Sequence, residues 1–329
     1  MMRPIRSDLE EVVTKIVVVG VGDCGCNTIT NLFERNVEAK LIAVNTDVNS
    51  LNVTKAHQLI QIGENTTRGR GTGGDISKGR KAAEEDIDKV LEAIGKPDFL
   101  MITCGFGGGT GSGATPYILA QLRDEYPDLL MGAVVSIPFR YEGIERLKNT
   151  QMGLRDTLDV ADFVIVNLND ILLERYGTLP LQESFRMMDA ILANTIESIV
   201  DMLQPKGAQL RVDFADLVTL LRRAGVSFVG HGRHRSIRKA VEKAIESKLL
   251  DAELSSAKGA LVYVSAPPGV SLRQAAEAPR IVSDKYGVER VIWGLKVNPK
   301  LRESHVMIIA SGVRSRIISD IVGVSEAVG

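Results

Sequence analysis

The chain has 329 residues, 44% hydrophobic and 25% charged, a length that suits two domains and a composition that suits a sizeable core. Forty Lys and Arg against 41 Asp and Glu leave a formal net charge of -1, which argues against binding nucleic acid by bulk charge. No apolar run reaches the roughly 18 residues of a membrane span; the opening MMRPIRSDLEE lacks the apolar stretch of a secretory signal, and three cysteines, Cys24, Cys26 and Cys104, suit a reducing compartment better than a disulfide scaffold.

Residues 1–13 read as an extension. The first strand is expected over 15–19 and runs into Gly20-Val21-Gly22-Asp23-Cys24-Gly25, a GxGxxG sequence opening a helix, with Asp47 after a second strand at 40–44. Alone, this is a dinucleotide fingerprint, in which glycines let the backbone approach a pyrophosphate and the acid holds a ribose. A plain packing turn would use the same glycines. A third strand (57–62) leads to Thr67-Arg68-Gly69-Arg70-Gly71-Thr72-Gly73-Gly74. The spacing of Ile76, Ala83, Ile87, Val90, Leu91 and Ile94 predicts one helix over 76–94, stopped by Gly95-Lys96-Pro97. The fourth strand (98–104) ends in a run with six glycines among residues 105–113, and strands at 130–136 and 162–168 follow. Strands apolar throughout are buried on both faces, so this half reads as a parallel, Rossmann-like α/β sheet. Three glycine-rich loops at its carboxyl end would converge on one rim, where a triphosphate could occupy all three and a nicotinamide cofactor needs only the first.

Over 181–204, Leu181, Phe185, Met188, Ile191, Leu192, Thr195, Ile196, Ile199, Met202 and Leu203 recur at three and four, and Met187, Ala190 and Val200 widen the stripe. Such a helix, about 36 Å long, is expected between two bodies. Strands at 259–266, 289–298 and 305–312, with helices near 235–249 and 271–285, predict a smaller mixed α+β domain and a short tail. His231-x-x-His234 reads as a surface loop. No His/Cys/Asp cluster has metal-ligand spacing, Cys24-x-Cys26 included.

GFGGGTGSG at 105–113 resembles the signature loop of the tubulin superfamily. Asn45-Thr46-Asp47, Pro138-Phe139-Arg140-Tyr141-Glu142-Gly143, Asn169-Asp170 and Asp213-Phe214-Ala215-Asp216 are similar to the FtsZ family within it, over residues 14–313 and closest to its archaeal side. The resemblance implies the tubulin/FtsZ fold, with a GTP-binding domain over 14–180, a central helix over 181–204, a C-terminal GTPase-activating domain over 205–313 and a tail over 314–329. It implies a polymerising GTPase that forms head-to-tail cytoplasmic filaments at the mid-cell division site. GTP or GDP would be bound, with Mg2+ held mainly by phosphates and water. The tail residues Ile317, Ile318, Ile321 and Val322 would dock on a membrane-anchoring division protein or pack back on the domain.

By match to family motifs, Gly20, Gly22, Gly25, Cys26 and Asn27 would form the first phosphate and base loop, with Asn45 and Asp47 beside it. Thr72 and Gly73 would meet the γ-phosphate, and Gly107, Gly108, Gly109, Thr110 and Gly111 would cradle the phosphates. Pro138, Glu142 and Arg146 would border ribose and phosphate. Asn169, Phe185 and Asp189 would read guanine, whose N1 and N2 hydrogens suit a carboxylate; without the resemblance Asp189 reads as a solvated helix residue. Asp213 and Asp216 would be catalytic, but the central helix holds them about 30 Å from the guanine, so only a neighbouring subunit could bring them. Asp213 also suits a helix cap.

Two departures bear on mechanism. Asp23 stands where the family has glycine, so it must face away from phosphates or lower affinity. Arg211 stands where the family has asparagine, and either joins the catalytic set on a neighbour's γ-phosphate or pairs with a carboxylate and slows hydrolysis. Two other readings stay open: a non-hydrolysing GTP-binding scaffold, and a nicotinamide-dependent dehydrogenase resting on GxGxxG and Asp47.

Overall fold

The apolar runs become strands of one sheet, in a computed structural model that describes residues 14–178, 180–203 and 208–323, with all their side chains except those of residues 176, 181, 182, 184–186, 188 and 189. The first half runs β1 (Ile16–Val21), α1 (Gly22–Glu34), β2 (Lys40–Asn45), α2 (Val48–Val53), β3 (Gln58–Gln61), α3 (Glu64–Thr67), α4 (Ile76–Glu85) and α5 (Ile87–Ile94). It continues through β4 (Phe99–Gly105), α6 (Gly109–Glu125), β5 (Leu130–Ile137), α7 (Ile144–Val160) and β6 (Phe163–Leu168). Then follow α8 (Asn169–Tyr176), α9 (Leu181–Leu203), β7 (Ala208–Leu210), α10 (Phe214–Leu221), β8 (Gly225–His234) and α11 (Ile237–Glu246). β9 (Gly259–Ala266), α12 (Leu272–Ala275), α13 (Glu277–Arg280), β10 (Val291–Val297), β11 (Ser304–Ser311) and α14 (Arg316–Val322) complete the described chain.

The strand order is β3-β2-β1-β4-β5-β6-β8-β11-β9-β10-β7. From β3 to β8 every pairing is parallel. The order turns back between β1 and β4, the place where open α/β sheets leave a crevice at their carboxyl ends. Alternate side chains of β1 feed opposite faces: Val17, Val19 and Val21 join one apolar cluster, Ile16 and Val18 the other. That two-sided burial is what the unbroken apolar runs demand.

The second half is antiparallel around β11, which pairs with β8 and β9. It is not a separate sheet: β8 pairs with β6 through Phe163–Gly225, Val164–Val226 and Ile165–Ser227. On one face, α9 packs Leu192, Ala193, Ile196, Ile199 and Val200 with Ile29 and Leu32 of α1 and with Leu217 of α10 and Met307 of β11. The wide apolar stripe of the central helix is thus covered from both halves.

Several expected elements need correction. The helix over 76–94 breaks at Asp86, whose φ is -123°. Its buried carboxylate accepts from the Gly63 amide at 2.7 Å and pairs with Lys89 at 2.5 Å, so tertiary bonding wins over periodicity. The helix near 271–285 is α12, α13 and a π-helical turn at Ile281–Lys285. The stretch holding His231 and His234 is a strand, β8, and not a surface loop. The tail forms α14, capped by Ser315, with Ile318 buried at 2% and Ile317, Ile321 and Val322 packed on the core. These four apolar residues are therefore packed on the chain's own body; residues 324–329 lie outside the described part.

Candidate functional site

A cavity of about 1300 Å³ opens at the carboxyl ends of β1, β2, β4 and β5. Its floor is built from glycine geometry. α1 starts directly on β1 because Gly22 adopts φ +71°, and neither its N-cap, Val21, nor that of α6, Gly108, supplies a side-chain bond to the first amides. Two helix N-termini with open N–H groups therefore face one space, a ready anion site. The two loops touch: a Cβ on Gly22 would sit 3.4 Å from the Gly111 nitrogen.

The glycines divide their labour. Gly20 and Gly25 do not border the cavity; they let α1 cross β1 and β4, since a Cβ on Gly25 would lie 2.7 Å from the Gly20 carbonyl carbon and 2.6 Å from the Thr103 carbonyl oxygen. Gly109, Gly111 and Gly113 let α6 approach its neighbours, a Cβ on Gly109 falling 2.5 Å from the Asp75 carbonyl oxygen. Gly107, at φ +92°, and Gly108, with open space before it, present backbone to the cavity. The third loop holds Gly69, Gly71, Gly73 and Gly74 at positive φ, and nothing stands within 4 Å of where Gly73 or Gly74 would carry a Cβ. Thr72 and Gly73 line the same wall.

Side chains lock these loops together. Asn149 of α7, 8% exposed, donates to the carbonyls of Gly74 (2.8 Å) and Gly107 (3.1 Å), bridging the third and fourth-strand loops. Ser112 accepts from the Gly107 amide at 3.0 Å, and the hydroxyls of Thr46 and Thr110 meet at 2.8 Å. Neither Asn149 nor Ser112 is among the residues expected from sequence. The readable signal for Asn149 is a polar residue on the buried face that α7 shares with Gly153, Leu154 and Thr157.

Of the sequence candidates, Gly22, Asn45, Asp47, Thr72, Gly73, Gly107 to Gly111, Pro138, Glu142, Arg146 and Asn169 line the cavity. Gly20, Gly25, Cys26 and Asn27 do not. Cys26 is buried at 1%, its thiol pushed up to about 11 by burial, and Cys104 is pushed up to about 12 for the same reason. Cys24 is the cysteine that borders the cavity, 3.5 Å from the Ser136 hydroxyl. Asn27 is exposed on α1, away from the cavity wall. The side chains of Phe185 and Asp189 on α9 lie outside the described residues, although Leu192 of the same helix reaches the cavity.

The wall's carboxylates are engaged elsewhere. Asp47 and Asp75 cap α2 and α4, Asp47 accepting from the Asn49 amide at 2.8 Å through one carboxylate oxygen while the residue lines the cavity. Asp23 is held by Asn45 Nδ2 at 2.9 Å. Glu142 accepts from the Phe139 amide and from Arg146, each at 2.7 Å. Among the described residues no group of three or more His, Cys, Asp or Glu is placed to hold a metal ion.

The acidic loop is elsewhere. Phe214, next to Asp213, lies 6.3 Å from Phe99, the first residue of β4, whereas the cavity begins at Gly105, the last. Seven residues of strand separate those ends, about 20 Å. Asp213 occupies the N-cap position of α10 without a capping bond, and Asp213, Asp216 and Arg211 are exposed on that far rim.

Residues 15–177 match the family model described as Tubulin/FtsZ family, GTPase domain, and residues 225–314 match FtsZ family, C-terminal domain. The chain is 39% identical over 321 residues to cell division protein FtsZ 1 of Pyrococcus abyssi, covering 96% of this chain and 85% of that one. An FtsZ dimer from M. jannaschii superimposes with a TM-score of 0.85 at 35% identity, over 92% of this chain and 90% of the other. CetZ2 from Haloferax volcanii, solved as a GTPgS-bound protofilament, shares the fold at 22% identity, with a TM-score of 0.81 over 94% and 96% of the two chains.

Proposed function

This chain belongs to the FtsZ family of tubulin-like GTPases, and from that premise we propose that it holds GTP in the 1300 Å³ cavity and hydrolyses it between copies stacked head to tail. The observation that carries this reading is the distance between the two halves of the site. The nucleotide cavity sits at the carboxyl ends of the strands and the exposed Asp213 and Asp216 at the amino ends. One molecule cannot fold them together; a second copy stacked on the cavity can. Such a heterologous contact repeats without closing, which makes a filament.

In this arrangement the open amides of α1 and α6 and the backbone of Gly73, Gly107 and Gly108 receive the phosphates. Asn169, with Phe185 and Asp189 as expected from sequence, faces the base. The neighbour's Asp213 and Asp216 orient a water in line with the γ-phosphorus. The water oxygen bonds to phosphorus as the bond from phosphorus to the β,γ-bridging oxygen breaks; the electron pair of that bond stays on the GDP oxygen, and both of the water's protons end on inorganic phosphate. Because every carboxylate of the wall named above is bonded within the protein, a Mg2+ ion would be held by the nucleotide's own oxygens and water, where it would neutralise phosphate charge. A role in cell division, carried in the names of the relatives, and a cytoplasmic place extend to this chain with the same reading.

The test is phosphate release at saturating GTP against protein concentration. Turnover per molecule should fall steeply below the concentration at which the chain sediments; turnover unchanged on dilution to monomer would overturn the reading.

A further inference from the structure

The loops around the cavity follow the order of the strands. Asn169 comes after β6, Gly107 and Gly108 after β4, and the third glycine loop after β3, at the far edge of the sheet. The third loop folds back as far as α6, where a Cβ on Gly109 would fall 2.5 Å from the Asp75 carbonyl oxygen. With the base at Asn169, a nucleotide laid along this row brings its last phosphate to the seam between the third loop and the loop after β4. The far side of that seam has little packing of its own. Gly71, Gly73 and Gly74 stand at positive φ, and nothing lies within 4 Å of the place a Cβ would take on Gly73 or Gly74.

Asn149 of α7 closes the seam. It is 8% exposed, and its Nδ2 donates to the Gly74 carbonyl at 2.8 Å and to the Gly107 carbonyl at 3.1 Å. A side-chain amide has two N–H donors. Both are spent on the two loops, which leaves Oδ1, an acceptor and the wrong pole for a phosphate. Although Asn149 lines the cavity, it therefore acts through the backbone it holds and not by donating to the anion. The C=O of a planar trans peptide and the N–H that follows it point in opposite directions. Holding the Gly107 carbonyl turns the Gly108 amide away from α7, and holding the Gly74 carbonyl turns that oxygen to α7 instead of to an anion. The neighbouring amides are fixed as well, Gly107 donating to Ser112 Oγ at 3.0 Å and Asp75 to the Thr72 carbonyl at 3.2 Å.

We propose that Asn149 is a positioning residue for the terminal phosphate: by bracing the third glycine loop against the loop after β4, it makes the binding of GTP, and not that of GDP, depend on α7. This rests on nucleotide binding in the cavity as read above. A diphosphate stops short of the seam and gains nothing from the brace. A triphosphate reaches it, and without the brace must order the third loop from its own binding energy.

The experiment titrates the full-length parent, Asn149→Leu and Asn149→Ser with GDP and with a slowly hydrolysed GTP analogue, in magnesium and below the assembly threshold. Leucine keeps the size of the side chain without a donor, and serine can donate to one carbonyl at most. Asn149→Leu should weaken the analogue about 10-fold and leave GDP within about twofold, with Asn149→Ser losing about threefold for the analogue alone. GDP serves as the internal control, since general loosening of the fold moves both affinities. If Asn149→Leu does not melt cooperatively, Asn149→Ser carries the same comparison. Equal losses for the two nucleotides, or no loss for either, overturn the role of Asn149. A parent that binds neither nucleotide overturns the reading of the cavity itself.

Discussion

Gly108 and Gly109 are neighbours with different reasons to lack a side chain. A methyl on Gly108 meets open space at the cavity, whereas one on Gly109 would press on the Asp75 carbonyl oxygen at 2.5 Å. Gly108→Ala should therefore leave the melting temperature within about 2 °C of the parent while weakening GTP binding, because the methyl intrudes where phosphates approach the amides. Gly109→Ala should cost about 1–3 kcal/mol of stability by overpacking α6 against the start of α4. Thermal unfolding and nucleotide titration of the two variants separate the effects. Asp23 has a local partner at this scale: Asn45 Nδ2 donates to its carboxylate at 2.9 Å on the cavity wall.

Among the elements, the break between α4 and α5 has a purpose the periodicity hides. Asp86 takes the Gly63 amide, and Glu85 takes the amides and side chains of Asn65 and Thr66 at 2.8–3.1 Å. Together they pin α3, which leads directly into the third glycine loop. Asp86→Ala leaves the Gly63 amide buried without its partner, at a cost of about 1–3 kcal/mol, and should also weaken GTP binding by loosening that loop. Chemical denaturation and nucleotide affinity would be measured together; an unchanged midpoint would contradict the pinning.

The pairing of β8 with β11 brings the rings of His231 and His305 to 5.5 Å. Burial first, then the charge of Arg233 and, for His231, that of His305, depresses both to about 4, and His231 Nε2 finds no hydrogen-bond partner among the described residues. Both stay neutral when folded until the pH nears 4, whereas the unfolded chain protonates them near 6.5. Stability is therefore lost as pH falls from 6.5, by roughly 2 kcal/mol per histidine at pH 5. His231→Asn should flatten the denaturation midpoint between pH 7 and 5; an equally steep loss in the variant would exclude the pair as its source.

The strands of the first half, the central helix and the glycine loops are legible because one-dimensional pattern and burial agree there. β8 is not, because Gly230 and Gly232 interrupt its alternation where α11 crosses it closely. β7 is only three residues long and exists through its pairing with β10. Within the site, the glycines announce a phosphate cradle, but which ones face it and which ones only permit packing depends on neighbours distant in sequence. Asn149 and Ser112 are ordinary residues until three loops are brought to them.

At the scale of the molecule, polarity is built into the sheet. Its parallel half directs every loop of the cavity to one rim and leaves α10, with Asp216, at the other. Asp216→Ala should accordingly bind GTP and sediment normally while turnover falls at least tenfold, and copies of the variant doped into parent filaments should silence the nucleotide they face. Retained turnover in the pure variant would contradict the division of the site between rims.

Both apolar clusters draw residues from each side of the β6–β8 junction: Val19 and Ile42 share one with Val262 and Ile308, and Ile29 and Phe163 share the other with Leu261 and Ile309. Neither half owns its interior. A chain cut near residue 224 would leave each fragment with an uncovered greasy wall, and calorimetry of the intact chain should record a single peak. Strain imposed at one rim is thus borne by side chains of both halves, with no seam at which it could stop.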